Sequence, residues 1–532
     1  TAMQVAVMQG DLHSAMLPAY LCNLMVASAE LDAEADSIKK LFHSLRPYGG
    51  TAAIALSTNE GDELKAAATK ADLQNARWSQ SGGLMILTRE GALPSSAPWT
   101  HQGAAVTNTM MSKDLRVKAP LGLLWFGGPS HEGVLPRHGH GPTPQVAGGR
   151  LFIEGRDFLR AVDVYTGRLL WQHDLPGVGL YYDNTGHHPG ANAIGSNYVS
   201  LKDAVYVAYG RECLHLEPAT GKVVSKFTLP KLDGQKDLPY FGYIGVYEDV
   251  LIAGSSPMVP WTKSHGVETG ELQARFAEGS GHLVALDRRN GKVLWQRKAQ
   301  FNFRHNAICA GGGQIFCIDR ITEARLALLK RRGITPEGSP TLYAIDAKTG
   351  EVAWQSSDDI FGTWLTYSDE HDILIQATAS FRDRALDEPD SGIAAYDAKT
   401  GKQLWANDAG YGGPVLLTGD RTITQGTAFD LHTGELATRP NPITGKPARW
   451  TFSRNYGCNT AIGCPNLLTF RSAAAGFYDL QRDGGTGNFG GFRSSCTSNL
   501  VPADGVLNAP DYTRTCVCSY QLQTSLALVH MP

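Results

Sequence analysis

The chain has 532 residues, with 48 Lys+Arg against 51 Asp+Glu, a formal charge of −3 and 59 glycines. A balanced surface gives no electrostatic hold on nucleic acid or an anionic membrane. No apolar run reaches the roughly 18–20 residues of a membrane span; the glycine content suits a turn-rich β protein.

The opening stretch, TAMQVAVMQGDLHSAM, shows no basic segment followed by an apolar core, so no leader is visible. CNLMVAS (Cys22–Ser28) predicts a buried strand, and Ile38, Leu41, Phe42 and Leu45 share one helical face. RPYGG then turns the chain into a second strand, TAAIALS, followed by a helix over Asp62–Leu73 and a hairpin at RWSQSGGLMILTRE. That order resembles the C-terminal half of a class I methyltransferase fold, without the half that carries the glycine-rich nucleotide loop. Residues 1–94 therefore read as a partial α/β, Rossmann-like domain with no cofactor cradle, unable to transfer methyl groups alone. Its open sheet edge calls for a cover: a protein partner, a cleaved N-terminal piece, or the rest of the chain. Residues 95–118 read as a linker.

From residue 119 the chain repeats itself. AVDVYTGRLLW (Ala161–Trp171), ALDRRNGKVLW (Ala285–Trp295), AIDAKTGEVAW (Ala344–Trp354) and AYDAKTGKQLW (Ala395–Trp405) are near copies, and worn ones start at His215, Ala428 and Gly476. Each reads as a strand, a tight Thr-Gly or Asn-Gly turn, and a second strand bearing Trp. The acids Asp163, Glu217, Asp287, Asp346, Asp397, Asp430 and Asp479 recur at steps of 54, 70, 59, 51, 33 and 49 residues, against the roughly 40–50 that four short strands of a propeller blade need. A last strand, Ser525–His530, lacks its Trp, while Trp125 in LGLLWFGG lacks its repeat. Pairing the two closes a ring without exposed edges. The expectation is a mainly β chain, an eight-bladed β-propeller over 119–532, each repeat running outer, second, third and inner strand with the Asp strand innermost. These repeats resemble the pyrroloquinoline-quinone-type repeat family, which includes quinoprotein alcohol dehydrogenases and the propeller subunit of outer-membrane assembly machinery. The resemblance implies the fold; function has to be read from sites.

Loops after outer strands and loops before inner strands share one end of a meander, and long insertions near Ser255–Gly281, Arg320–Pro340 and Thr378–Gly392 decorate that same end. Equivalent loop positions converge on the axis, predicting a funnel lined by His, Arg and Tyr. Candidates for proton transfer or catalysis are His138, His140, His187, His188, Arg304, His305 and Tyr456; candidates for ligand contact are Tyr181, Tyr243, Asn306, Trp364, Tyr411, Arg454, Asn455 and Arg493. Arg with aromatics suits a small carboxylated or carbohydrate-like ligand. His138, His140, His187, His188 and His305 offer a transition metal imidazole ligands, and the Asp-Gly-Gly-Thr-Gly-Asn run at 483–488 loosely resembles a calcium loop. Pyrroloquinoline quinone is a weaker fit: the dehydrogenases' adjacent-cysteine disulfide has no counterpart here, and their calcium ligands do not align to numbered positions. The alternative for every one of these residues is holding loop backbones in place.

Of nine cysteines, Cys458, Cys464, Cys496, Cys516 and Cys518 fall in the last 75 residues. Such clustering predicts disulfides pinning the closing blade, and with them an exported, periplasmic or extracellular protein. Cys309 and Cys317 flank a Gly-Gly-Gly turn, which suggests a cross-strand bridge. Three functions follow as expectations: a propeller that binds, or binds and processes, a small or carbohydrate-like ligand, a quinone-dependent oxidoreductase, or a non-enzymatic assembly scaffold.

Overall fold

The repeated Asp builds a turn, and the turn builds the sheets. In the computed structural model, which describes residues 17–27, 34–55, 61–137, 140–183, 190–255, 279–321, 323–379, 388–441, 443–492, 500–511, 513–515 and 524–531, Asp163 Oδ1 accepts the amides of Tyr165 (2.9 Å) and Thr166 (3.1 Å). The amide of Gly167 returns to the Asp163 carbonyl at 2.9 Å. The same geometry recurs at Asp287, Asp346, Asp397 and Asp430. The side chain thus satisfies amides that the reversing backbone cannot, which is why an acid stands at this position.

Trp and Gly tie four of the sheets to the next. The indole N–H of Trp171 donates to Pro218 O (2.9 Å), Trp295 to Ala347 O (3.0 Å), Trp354 to Ala398 O (2.8 Å) and Trp405 to Leu431 O (2.8 Å). Under each ring lies the turn glycine of the following repeat: a Cβ on Gly221, Gly350, Gly401 or Gly434 would stand 2.5–2.6 Å from indole atoms. The glycine serves twice, permitting the left-handed turn and admitting the ring.

The chain beyond residue 119 forms successive antiparallel meanders. Two of them share one long strand, Val293–Gly311, outermost in the first and leading into the second. The first strands of successive meanders lie against one another and so surround the axis. The Asp strand is third from the axis and the Trp strand outermost. The expectation of an innermost Asp strand is corrected: the strand after each Trp strand is the axial one. Ser525–His530 pairs antiparallel with Leu121–Gly127, Ala527 opposite Trp125.

Residues 95–118 are not a passive linker. Trp99 bridges Val146; Thr100 O accepts Ser200 N (3.1 Å); His101 Nε2 accepts Val246 N (3.0 Å); Val106 O accepts Ala310 N (3.1 Å). Thr107 O accepts Tyr367 N (3.0 Å), Thr109 O accepts Leu417 N (2.9 Å), Ser112 N donates to Gly463 O (2.9 Å) and Ser112 Oγ to Pro502 O (2.6 Å). The segment therefore runs once around the axis, meeting the axial strand of each meander in chain order. It closes the channel at the end opposite the decorated loops. A chain that pairs with eight backbones in succession has to be free of charge, and residues 99–112 carry no Asp, Glu, Lys or Arg.

The N-terminal residues form a mixed sheet in the order β1 (Leu24–Ala27), β2 (Gly50–Ala55), β4 (Leu84–Arg89), β3 (Ala76–Ser81), with β1 parallel to β2 and the rest antiparallel. Helices α1 (Ala35–Ser44) and α2 (Gly61–Ala71) pack on one face through Ile38, Leu41, Phe42 and Leu64. β1 is no buried strand: Leu24 and Val26 point outward at 66% and 74% exposure. The Arg-Pro-Tyr turn docks this module onto the repeats. Arg46 Nε pairs with Asp163 Oδ2 at 2.6 Å, and Tyr48 OH donates to Asp504 Oδ1 at 3.0 Å.

Candidate functional site

At the decorated end, the axis is occupied by the chain itself. A single helical turn, α3 (Ala191–Ile194), is held by residues from widely separated meanders. Asn306 Nδ2 donates to Ala191 O (3.0 Å), His305 Nδ1 to Ile194 O (2.8 Å), and Tyr182 OH to Gly195 O (2.9 Å). Ala191 N donates to His140 O (2.8 Å), while Asn192 receives Gln102 Nε2 (2.8 Å) and reaches Thr460 Oγ1 (3.3 Å). Between α3 and the 99–112 segment, His305, Asn306 and Tyr182 hold backbone carbonyls, while Gln102 links Thr143 to Asn192.

His305 shows the consequence for chemistry. Its second nitrogen faces Ser280 Oγ at 2.8 Å. Burial, aided by Arg304, lowers its pKa to about 4. A neutral ring donating at Nδ1 turns its Nε2 lone pair to the Ser280 hydroxyl, so both nitrogens are engaged within the fold. His101 is similar: Nδ1 meets Thr100 Oγ1 at 2.7 Å, Nε2 accepts Val246 N, and burial takes its pKa to about 3.

The other predicted site residues divide by burial. Arg304 is buried with its counter-ion Glu388 at 4.0 Å, and Glu388 accepts Ala379 N at 2.6 Å and the Thr363 hydroxyl. Trp364 lies wholly inside the core and Tyr181 packs edge-on to Tyr182. Tyr243 is buried beside Cys309, and burial raises its pKa. Tyr411 OH accepts Thr378 N and donates to Gly392 O at 2.7 Å; burial pushes it to about 12. Arg454 Nη1 donates to Asn459 O at 2.6 Å. Among the described ones, only Asn455 and Tyr456 are exposed, the Tyr456 ring lying 5.2 Å from the Arg471 guanidinium. His138, His187, His188, Arg493, Cys496, Cys516 and Cys518 lie outside the described residues.

Thiols and acids complete the picture. Cys309 stands opposite Phe316 and Cys317 opposite Ile308, so the two thiols project from opposite faces of their sheet. Both are free, which corrects the expected bridge. Cys464 is a free buried thiol donating to Val117 O at 3.3 Å, and Cys458 Sγ lies 3.5 Å from Tyr456 OH. In the run read as a calcium loop, Asp483 Oδ1 instead accepts Trp450 Nε1 (2.9 Å) and Tyr478 OH (3.1 Å). Sequence reasoning missed Gln102, Asn108, Asn192 and Glu388; the uncharged run 99–112 was the one available signal. It also missed Glu154, fully buried at the decorated end, whose pKa burial raises well above the usual value while Asn197 opposes the shift. A cleft of about 390 Å³ lies off-axis at this end, its lining including Arg211, Lys236, Asp237 and Tyr240. Arg211 stacks 4.3 Å over the Tyr240 ring.

A family model described as outer membrane protein assembly factor BamB matches residues 281–451. The quinohemoprotein alcohol dehydrogenase of Comamonas testosteroni superposes with a TM-score of 0.50 at 12% identity, over 82% of each chain. BamB of Moraxella catarrhalis gives 0.41 at 13%, over 77% of this chain and 98% of that one. A europium-containing methanol dehydrogenase gives 0.45 at 11%, over 78% and 88%. No curated protein matches the chain. Likeness at such identities speaks for fold alone: with the Asp–Gly–Trp geometry above, the chain is mainly β with a propeller fold like that of the quinoprotein dehydrogenase, and its residues 281–451 are similar to the BamB-type repeat.

Proposed function

We propose that this chain is an exported, eight-bladed propeller that serves as a protein-assembly platform, its N-terminal α/β module completed by a partner polypeptide. The face of the N-terminal sheet that the described residues leave uncovered carries this reading. Among the described residues both helices pack on one face. The other presents Leu24 and Val26, exposed, in register with Thr51 and Ala53, and Ala53 in turn with Ile86. An antiparallel sheet can leave one face to solvent, but Leu24 and Val26 place large apolar side chains on that face, which suits an interaction surface. The sealed axis supports the same conclusion, since it leaves the propeller as a rigid support. A photo-crosslinking residue at Val26 in the full chain, expressed in its own cells, tests it. One defined protein adduct, absent when the probe sits at exposed Lys222, is expected; no adduct at Val26 contradicts the reading.

A second reading keeps the decorated end as a small-molecule site, for a carboxylated or carbohydrate-like ligand. The off-axis cleft favours it, because Arg211 and Lys236 beside Tyr240 pair cations with an aromatic face. A quinone-dependent oxidoreductase is the related alternative, favoured by the fold likeness to the dehydrogenase. Glu154 beside Asn197 offers the oxygen donors a calcium ion takes. The described residues do not fit the quinone itself: α3 occupies the axis, and the side chains around it hold backbone.

A further inference from the structure

At the end of the propeller opposite the decorated loops, three turns bring His371, Asp420 and His432 together. His371 stands on the turn between Trp364–Ser368 and Ile373–Ala377; Asp420 on the turn between Leu416–Thr418 and Arg421–Ile423; His432 on the turn after Ala428–Asp430. Two neighbouring meanders therefore contribute. We propose that these residues form a binding site for a divalent transition metal of the zinc type, stapling the two meanders together.

The geometry has the dimensions of such a site. His371 Nε2 lies 3.2 Å and His432 Nε2 3.3 Å from Asp420 Oδ1, and the three ligand atoms fall within 4.8 Å of one another. Metal–ligand bonds of about 2.0–2.2 Å at tetrahedral angles set neighbouring donors about 3.3–3.6 Å apart. The imidazoles meet edge to face, centroids 4.8 Å apart at 85°, so both Nε2 atoms reach one point without the rings clashing. Glu370 Oε2, 4.0 Å from His371 Nε2, is a fourth donor within reach.

A second observation points to a missing group. His371 Nε2 is shielded from solvent yet makes no hydrogen bond among the described residues, although Asp420 Oδ1 is 3.2 Å away. A buried nitrogen beside a carboxylate, at a distance but not an angle for donation, suits a cation between them better than a shared proton. The backbones are fixed independently: Ser368 Oγ accepts His371 N at 3.3 Å, and Asp430 Oδ1 accepts His432 N at 2.9 Å. The ligands are thus presented by preformed turns. Two imidazoles and a carboxylate select zinc, cobalt, nickel or copper over calcium or magnesium.

The full chain, stripped with chelator, is titrated with Co²⁺ while its visible spectrum is followed, beside His371→Gln, His432→Gln and a His138→Ala/His187→Ala/His188→Ala control. The expected result is a saturable band of low-symmetry Co²⁺ at about one equivalent, bleached by Zn²⁺. It should weaken at least about tenfold in affinity in either glutamine variant and persist in the control. Metal-free melting temperatures of the glutamine variants, unchanged from wild type, exclude misfolding as the cause. No band in the wild type, or a band that survives both glutamine substitutions, overturns the site.

Discussion

The indole N–H of Trp125 donates to the carbonyl of Val164 at 2.8 Å, and a Cβ on Gly167 would stand 2.6 Å from its ring. Trp125 belongs to a strand paired with the C-terminal Ser525–His530, whereas Val164 and Gly167 form the turn of the first full repeat. The contact that joins four other sheets to their successors here joins the last sheet to the first.

Gly167→Ala should therefore cost more than a turn glycine without a neighbour. Gly167 has φ +70° and Gly210 φ +67°, but nothing lies within 4 Å of a Cβ at Gly210. Left-handed strain alone costs about 1–2 kcal/mol, which is the expectation for Gly210→Ala. Gly167→Ala must also displace Trp125 and should lose about 3 kcal/mol or more. Urea unfolding of both variants measures the difference.

The axial segment makes a comparable prediction. Asn108 Nδ2 donates to Ile308 O at 2.9 Å and to Asn306 O at 3.4 Å, all buried. Asn108→Ala strands those carbonyls and should destabilise by about 2 kcal/mol. A flexible linker residue would change stability by less than about 0.5 kcal/mol.

Acid should loosen the axis. His305 and His101 have pKa values of about 4 and about 3 in the fold, below an unfolded 6.5. Between those limits the unfolded chain binds protons that the folded chain refuses. Their contribution is whole above pH 6.5 and falls as pH drops through that window, by on the order of 3 kcal/mol for His305. Asp504 acts oppositely: burial raises it from 3.8 to about 6, so its contribution is present at low pH and lost as pH rises through 6. Comparing the stability loss from pH 7 to 5 in wild type and His305→Gln isolates the histidine, and the variant should show the shallower loss.

The two central cysteines should be inert in the fold. Burial raises both thiol pKa values and leaves the side chains shielded. Alkylating reagent is expected to modify Cys309 and Cys317 only after denaturation, without prior reduction. Peptide mapping that finds them linked would contradict the opposite-face register.

What could be read in the sequence and what could not have separate physical causes. The Asp, Gly and Trp of each repeat act locally and within one neighbour, so spacing alone exposes them. The strand pairing Ser525–His530 with the Trp125 segment follows from the same bookkeeping of missing partners. The order of strands from the axis was misread because nothing in Asp163 or Trp171 marks a radial position. His305, Asn306 and Tyr411 were read as ligand residues because sequence shows that they converge, not that α3 and loop carbonyls already occupy them. The 99–118 stretch was read as linker because its partners are backbones hundreds of residues away, which no periodicity reports.

The most direct test of the account is hydrogen exchange of the isolated full chain, resolved by peptide. Slow exchange is expected over residues 99–112 and 191–194, which lie along the axis, and fast exchange over Leu24–Ala27, the strand proposed to meet a partner. Rapid exchange at the axis with protection at Leu24–Ala27 would contradict it, returning the function to an open funnel.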